Sequence, residues 1–267
     1  MIDGMKEMGT ALVTGANRGI GLETARELAS RGFRVLLTSR DQAKGSAAAK
    51  EIAVKAAGRV EFRRLDVSDE SGILEFANAI RSEGIAIDLL VNNAAVALDG
   101  FNHQVARRTI DTNFYGPMRL TDALSGSIPD GGTIVMVSSS AGEVSILSPR
   151  LRRSFLDTDL TKDSLIALVE QFIESVRNGH HSEDGWPTTA YGVSKAALNA
   201  LVRVTAPQLF QRRIRLNAVC PGWVKTDMGG AGAPRTVAQG AASVLWAALV
   251  TGSVSGGFFR DGKAIDW

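Results

Sequence analysis

Cysteine occurs once in the 267 residues, at Cys220, which excludes an intrachain disulfide framework and any zinc site built on clustered thiolates. Histidine is nearly as scarce: His103, His180 and His181 have no cysteine or acidic pattern around them and read as surface residues, so no metal site is expected. No apolar run approaches the roughly 18 residues a bilayer span needs, and no membrane partner is expected. The first residues, Met1 to Gly9, carry Asp3, Lys6 and Glu7 and lack the apolar centre of a secretory signal. The net charge is only +2 with no long basic block, which argues against nucleic acid as a partner. There is no proline-rich linker and no internal repeat. An apolar share of 45% with 22% charged residues then describes a soluble globular chain, expected in the cytoplasm.

Short apolar runs alternate with helical stretches. Thr10 to Thr14 suits a strand buried on both faces. Leu22 to Ala29 reads as a helix closed by Gly32. Further strands are expected over residues 33–38, 60–65, 87–92, 133–138 and 215–219 and near 257–260. Helices are expected from Asp41 to Ala57, behind a cap at Ser68, over most of 105–124, from Tyr191 to about Phe210, and from about Pro234 to Leu249. Helices of this length between strands indicate a parallel sheet with right-handed crossovers. The economical reading is a single α/β domain over residues 1–267, doubly wound, with about seven strands.

Residues 141–188 break the rhythm and read as an insert. Within it Leu165, Leu168, Val169, Phe172, Ile173 and Val176 fall at helical spacing, so a helix from about Thr161 to Arg177 should lay one face on the core. The run Arg150-Leu151-Arg152-Arg153 reads as a solvated charge cluster.

Three stretches carry chemistry. Gly15-Ala16-Asn17-Arg18-Gly19-Ile20-Gly21 lies between the first strand and the first helix, where glycines admit a pyrophosphate to the backbone and the helix N-terminus supplies N–H donors. This places a dinucleotide site in a Rossmann-type sheet. At the end of the second strand stands Ser39-Arg40 where an acid would select NAD; a cation there accommodates the additional phosphate of NADP, with Arg18 a candidate second one. In Tyr191-Gly192-Val193-Ser194-Lys195 the tyrosine and lysine share a helix face, and a nearby ammonium lowers the pKa of a phenol, which suits it to proton exchange with a substrate oxygen.

With these in hand the chain resembles the short-chain dehydrogenase/reductase family over nearly all its length. The resemblance implies an adenine contact at Asp66-Val67 and identifies Asn92-Asn93-Ala94-Ala95 with the family's turn after the fourth strand, Ala95 replacing a glycine. It implies a catalytic asparagine at Asn113 and a catalytic serine at Ser139. It also implies that Pro221-Gly222-Trp223-Val224-Lys225-Thr226-Asp227 closes over the nicotinamide. Tyr191 follows Ser139 by 52 positions, a spacing similar to that of the monomeric, long-insert carbonyl reductases of the family, as is Gly185-Trp186-Pro187 before the tyrosine. An insert laid over the surface through which many relatives pair implies a monomer.

The implied activity is NADPH-dependent reduction of a ketone, aldehyde or quinone, a small-molecule carbonyl substrate. Ser139 and Tyr191 would bind the carbonyl oxygen and Tyr191 would protonate it. Lys195 would lower the tyrosine pKa and hold the nicotinamide ribose, and Asn113 would position a water. The alternatives are an alcohol dehydrogenase on the same residues and a non-catalytic NADP sensor. Trp186 and Trp223 are candidate pocket walls, and Cys220, at a buried strand end, reads as inert.

Overall fold

The computed structural model describes residues 8–56 and 58–267. The reading of Met1 to Glu7 as no signal sequence, and the end of the second helix at Ala57, lie outside the described residues. The first strand, β1 (Thr10–Val13), is buried along its whole length between β2 (Arg34–Ser39) and β4 (Leu89–Asn92). With β3 (Val60–Arg64), β5 (Thr133–Val137), β6 (Arg215–Val219), β7 (Phe258–Arg260) and β8 (Lys263–Ala264) it builds one sheet in the order β3-β2-β1-β4-β5-β6-β7-β8. All neighbours are parallel except β7 and β8. The eighth strand, a two-residue edge hairpin, goes beyond the seven expected. It is too short to carry an apolar pattern.

Side chains alternate across a strand, so each of these runs feeds two cores. Leu12, Leu36, Leu90 and Ile134 face one side, and Ala11, Val13, Leu37, Val91 and Val135 face the other. Helices α1 (Gly19–Ser30), α2 (Gln42–Ala53), α3 (Glu70–Ser82), α4 (His103–Ile110) and α5 (Gly116–Leu124) connect the first five strands. The cap of α3 is Asp69, whose carboxylate accepts from Gly72 N, and not Ser68. Ser68 instead donates its N–H and its hydroxyl to Asp66. Two capping residues stand side by side there, and Asp69 is the one that reaches the first turn.

The expected helix over 105–124 is interrupted. Residues Asp111–Tyr115 form a wide, π-helical turn between α4 and α5, a feature that adds a residue to the spiral and that apolar periodicity does not announce. The insert contributes two helices, α6 (Pro149–Leu156) and α7 (Lys162–Arg177). α7 starts at a capping box between Thr161 and Ser164 and lays Leu165, Val169, Phe172, Ile173 and Val176 on the core. Trp186 is buried against Phe155 and Phe172 at ring separations of 6.1 and 5.3 Å, so it packs in the core and lies outside the cleft that Tyr191 lines. The arginine run is tied down as well: Arg152 donates to the carbonyls of Val144 and Ser145, and Arg150 to that of Asp184. α8 (Ala190–Phe210) and α9 (Val237–Leu249) complete the fold. No helix among the described residues is long and apolar enough to cross a membrane.

Strand order reverses between β1 and β4, and crevices outside the carboxyl ends of strands at such a switch point are where open α/β sheets bind ligands. The glycine turn after β1, the end of β2, the turn after β4, the end of β5 and the start of α8 all open onto that edge.

Candidate active site

A cleft of about 410 Å³ runs along this edge. Its floor begins at the glycine turn. Gly15 and Gly19 have φ of +62° and +56°, and a Cβ on Gly21 would lie 2.4 Å from Asn93 Nδ2, so none of the three has room or backbone freedom for a side chain. Thr14 locks this turn to the one after β4: its hydroxyl accepts from the N–H groups of Asn93 and Ala94, at 2.9 and 3.0 Å. The Asn93 side chain returns the bond by donating to Thr14 O at 2.8 Å. Asn93 thus holds the phosphate turn in shape.

At the far end, Arg40 and Ser39 line the cleft where β2 finishes. Arg40 is exposed, and its guanidinium has no partner among the described residues. The neighbouring acid is occupied elsewhere, since Asp41 caps α2 by accepting from Lys44 N at 3.0 Å. Arg18 is also at the cleft but ion-paired with Asp227 of the covering segment, so it bridges the mouth instead of standing beside Arg40. Asp66 and Val67 line the wall between these two places.

Tyr191 and Lys195 lie near the start of α8, whose cap is Thr189. Burial pushes the Tyr191 pKa above its ordinary value, and the nearby Ser139 side chain opposes that rise. Lys195 does not lower the phenol as expected. Its ammonium donates to Val137 O at 2.8 Å and stands 5.7 Å from the tyrosine ring centroid. Burial pulls the lysine itself down, to about 8. The helix spacing puts the two side chains on one face, as expected, but the strand end of β5 captures the cation.

Asn113 sits in the wide turn and is 1% exposed. Both amide hydrogens are committed, to Val96 O at 2.8 Å and to Ser194 Oγ at 3.0 Å, and its Oδ1 accepts from Val96 N. Ser194 in turn donates to Tyr191 O. The side chain is therefore a brace between the cleft wall and the tyrosine helix, and has no hydrogen left for the water expected of it.

Of the covering segment, Pro221 and Thr226 line the cleft together with Lys225, Asp227 and Met228. Gly222 and Val224 do not: a Cβ on Gly222 would meet the Arg235 side chain, and Val224 is buried in a bridge with Arg235. Trp223 is 61% exposed with its indole N–H on Gly229 O, outside the lining. Residues the sequence reading did not single out include Val96, Val137 and Ser138. The Ser138 hydroxyl is buried with no partner among the described residues, which periodicity could not reveal.

A profile described as short chain dehydrogenase matches residues 9–148, and one described as enoyl-(acyl carrier protein) reductase matches 176–249. The chain belongs to the short-chain dehydrogenase/reductase family. It is 38% identical to carbonyl reductase (NADPH) 1 of Sus scrofa, over 96% of this chain and 93% of the relative. Among solved structures it is similar to salutaridine reductase of Papaver somniferum, with a TM-score of 0.86 at 30% identity over 95% of this chain and 99% of the other. It is also similar to the NADPH-bound carbonyl reductase from chicken fatty liver, with a TM-score of 0.72 at 26% identity over 99% and 96% of the two chains.

Proposed function

We propose that the chain reduces a ketone, aldehyde or quinone carbonyl with NADPH, using Tyr191 as the proton donor. At the coarser level it is an NADP(H)-dependent oxidoreductase acting on carbonyl or alcohol groups. The observation that carries the finer reading is the placement of Tyr191 and Lys195, on one helix face, in the lining of the cleft that starts at the glycine turn, with Ser139 near the phenol.

The residues fit the cofactor. Three crowded glycines leave a cradle without side chains, and the unpartnered Arg40 stands at the end of β2, where a 2′-phosphate would arrive. Asp66 and Val67 would flank the adenine, Asn93 and Ala94 the turn beneath, and Pro221 and Thr226 the cover. When bound, NADPH supplies a hydride to the carbonyl carbon. The hydroxyls of Ser139 and Tyr191 would then meet the carbonyl oxygen where negative charge develops, and stabilise it there. Tyr191 gives that oxygen its proton. Because burial raises its pKa, the phenol remains protonated at neutral pH, which is the state reduction consumes and alcohol oxidation cannot use as a base. The exposed Met228 at the cleft supports an apolar substrate. The insert helix α7 lies along α4 through Arg107 and Glu170, which supports a monomer of one domain.

A panel of apolar ketones, aldehydes and quinones, assayed by loss of NADPH absorbance, tests the reading. Turnover of at least one of them is expected. Tight NADPH binding without turnover of any panel member would leave the sensor reading in its place.

The pH profile tests Lys195. Its pKa is lowered from 10.5 to about 8, so it is a cation below about pH 8 and neutral above. The kcat/KM for NADPH reports ionisations of the free enzyme and is expected to fall as pH rises past about 8. A flat profile between about pH 6 and 10 would remove the lysine from cofactor binding.

A further inference from the structure

The wide turn that carries Asn113 is held from outside the sheet. Arg107, one helical turn ahead of it, makes a two-pronged ion pair with Glu170 of α7, at 2.9 and 2.7 Å. Tyr115, the last residue of the turn, donates its hydroxyl to the same carboxylate at 2.6 Å. Arg119 lies over the Tyr115 ring at 4.8 Å from its centroid, and Arg107 reaches Asp111, the first residue of the turn, at 3.9 Å. One carboxylate on the insert therefore collects the ends of the turn whose middle residue is Asn113. The phenol is 6% exposed and its pKa is raised by burial and by the Glu170 carboxylate, so it stays a donor throughout the useful pH range. The pair with Arg107 and the Tyr115 bond hold Glu170 below its ordinary pKa, so it stays an acceptor.

We propose that Glu170 is a positioning residue: with Arg107 and Tyr115 it clamps the Asp111–Tyr115 turn in its widened form and so aims Asn113 at Val96 and Ser194. The proposal rests on the reading of this cleft as the active site. A helix turns about 100° per residue, so relaxation of the wide turn to an ordinary one would swing Asn113 away from both partners. Val96 lines the cleft, and Ser194 is bonded to the carbonyl of Tyr191. The insert would thus reach the reacting oxygen through four residues without touching substrate. Small misplacements of this kind act on the chemical step more than on binding. The sole alternative use of the clamp is to fasten α7 to α4, which would affect stability alone.

Tyr115→Phe removes one hydroxyl and keeps the ring, and Glu170→Ala removes the whole clamp. Tyr115→Phe is expected to lower kcat about 3- to 10-fold and Glu170→Ala about 10-fold or more, with NADPH affinity unchanged by fluorescence titration. The deciding measurement is the cycle with Asn113→Ala. If the clamp acts through Asn113, Tyr115→Phe costs nothing further in kcat in that background. The same fold-loss in both backgrounds, or an unaltered kcat with only a lowered thermal midpoint, would overturn the proposal. Full kcat in Asn113→Ala alone would instead remove Asn113 from the site, and the clamp's role in catalysis with it. Loss of turnover in every variant and in the parent would fault the reductase reading, a distinct outcome.

Discussion

Replacing Tyr191 by Phe is expected to abolish carbonyl reduction, lowering kcat by about three orders of magnitude or more, while NADPH still binds. The size follows from two functions lost together. A positioned general acid contributes about 10²- to 10⁴-fold, and removal of one donor to a developing oxyanion costs about 10²- to 10³-fold. The two are not additive, because Ser139 remains as a donor. Phenylalanine keeps the ring in its place at the start of α8, and the hydroxyl that vanishes lies near Ser139 and has no hydrogen bond to the glycine turn. NADPH affinity, read by fluorescence titration, should therefore change less than about threefold, whereas turnover disappears. A kcat within tenfold of the parent would mean that the proton comes from another group, and Tyr191 would lose its place as the centre of the site.

The sheet and the glycine turn at its edge were legible because they rest on local rules. β1 is buried throughout and is soon followed by glycines, and a strand–glycine–helix order has few physical uses. α7 was legible from Leu165 to Val176 for the same reason: its period is that of the helix and its face is buried. The wide turn was not, since Asp111 to Tyr115 has ordinary helix-forming neighbours and the widening is imposed by Glu170, 55 residues from Tyr115 in sequence. Nor was the direction of Lys195. A four-residue spacing fixes the face on which it lies, but the carbonyl of Val137, 58 residues away, decides where the ammonium points. Trp223 fails in the opposite way. Its place in the covering segment suggested a wall, yet the bond to Gly229 O turns it outward. What sequence leaves out is in each case a long-range or loop partner competing for a polar atom.

The second large effect concerns the cofactor. Arg40→Asp is expected to weaken NADPH binding by about 10²-fold or more while leaving NADH unchanged or tighter. Hydrogen bonds to a charged group are worth about 1.5–3 kcal/mol, and every 1.4 kcal/mol is tenfold in affinity, so loss of the guanidinium accounts for about one to two decades. The new carboxylate adds repulsion toward the 2′-phosphate. NADH has no such phosphate, and an acid at the end of the second strand suits its ribose hydroxyls. The other cation beside this position is Arg64, whose Nε donates to Arg40 O at 3.4 Å. Asp41 is engaged at the N-terminus of α2, and Arg18 is paired with Asp227 across the mouth. Because Arg40 is exposed, the preference of the parent should itself shrink at high ionic strength, and Arg40→Asp should lose that salt dependence. Titration of both dinucleotides at low and high salt separates the possibilities. Equal losses for NADPH and NADH would show that Arg40 shapes the turn after β2 and does not read the phosphate. A small loss for NADPH alone would show Arg64 or Arg18 taking its place, and Arg64→Ala or Arg18→Ala in the Arg40→Asp background would then remove the remaining preference.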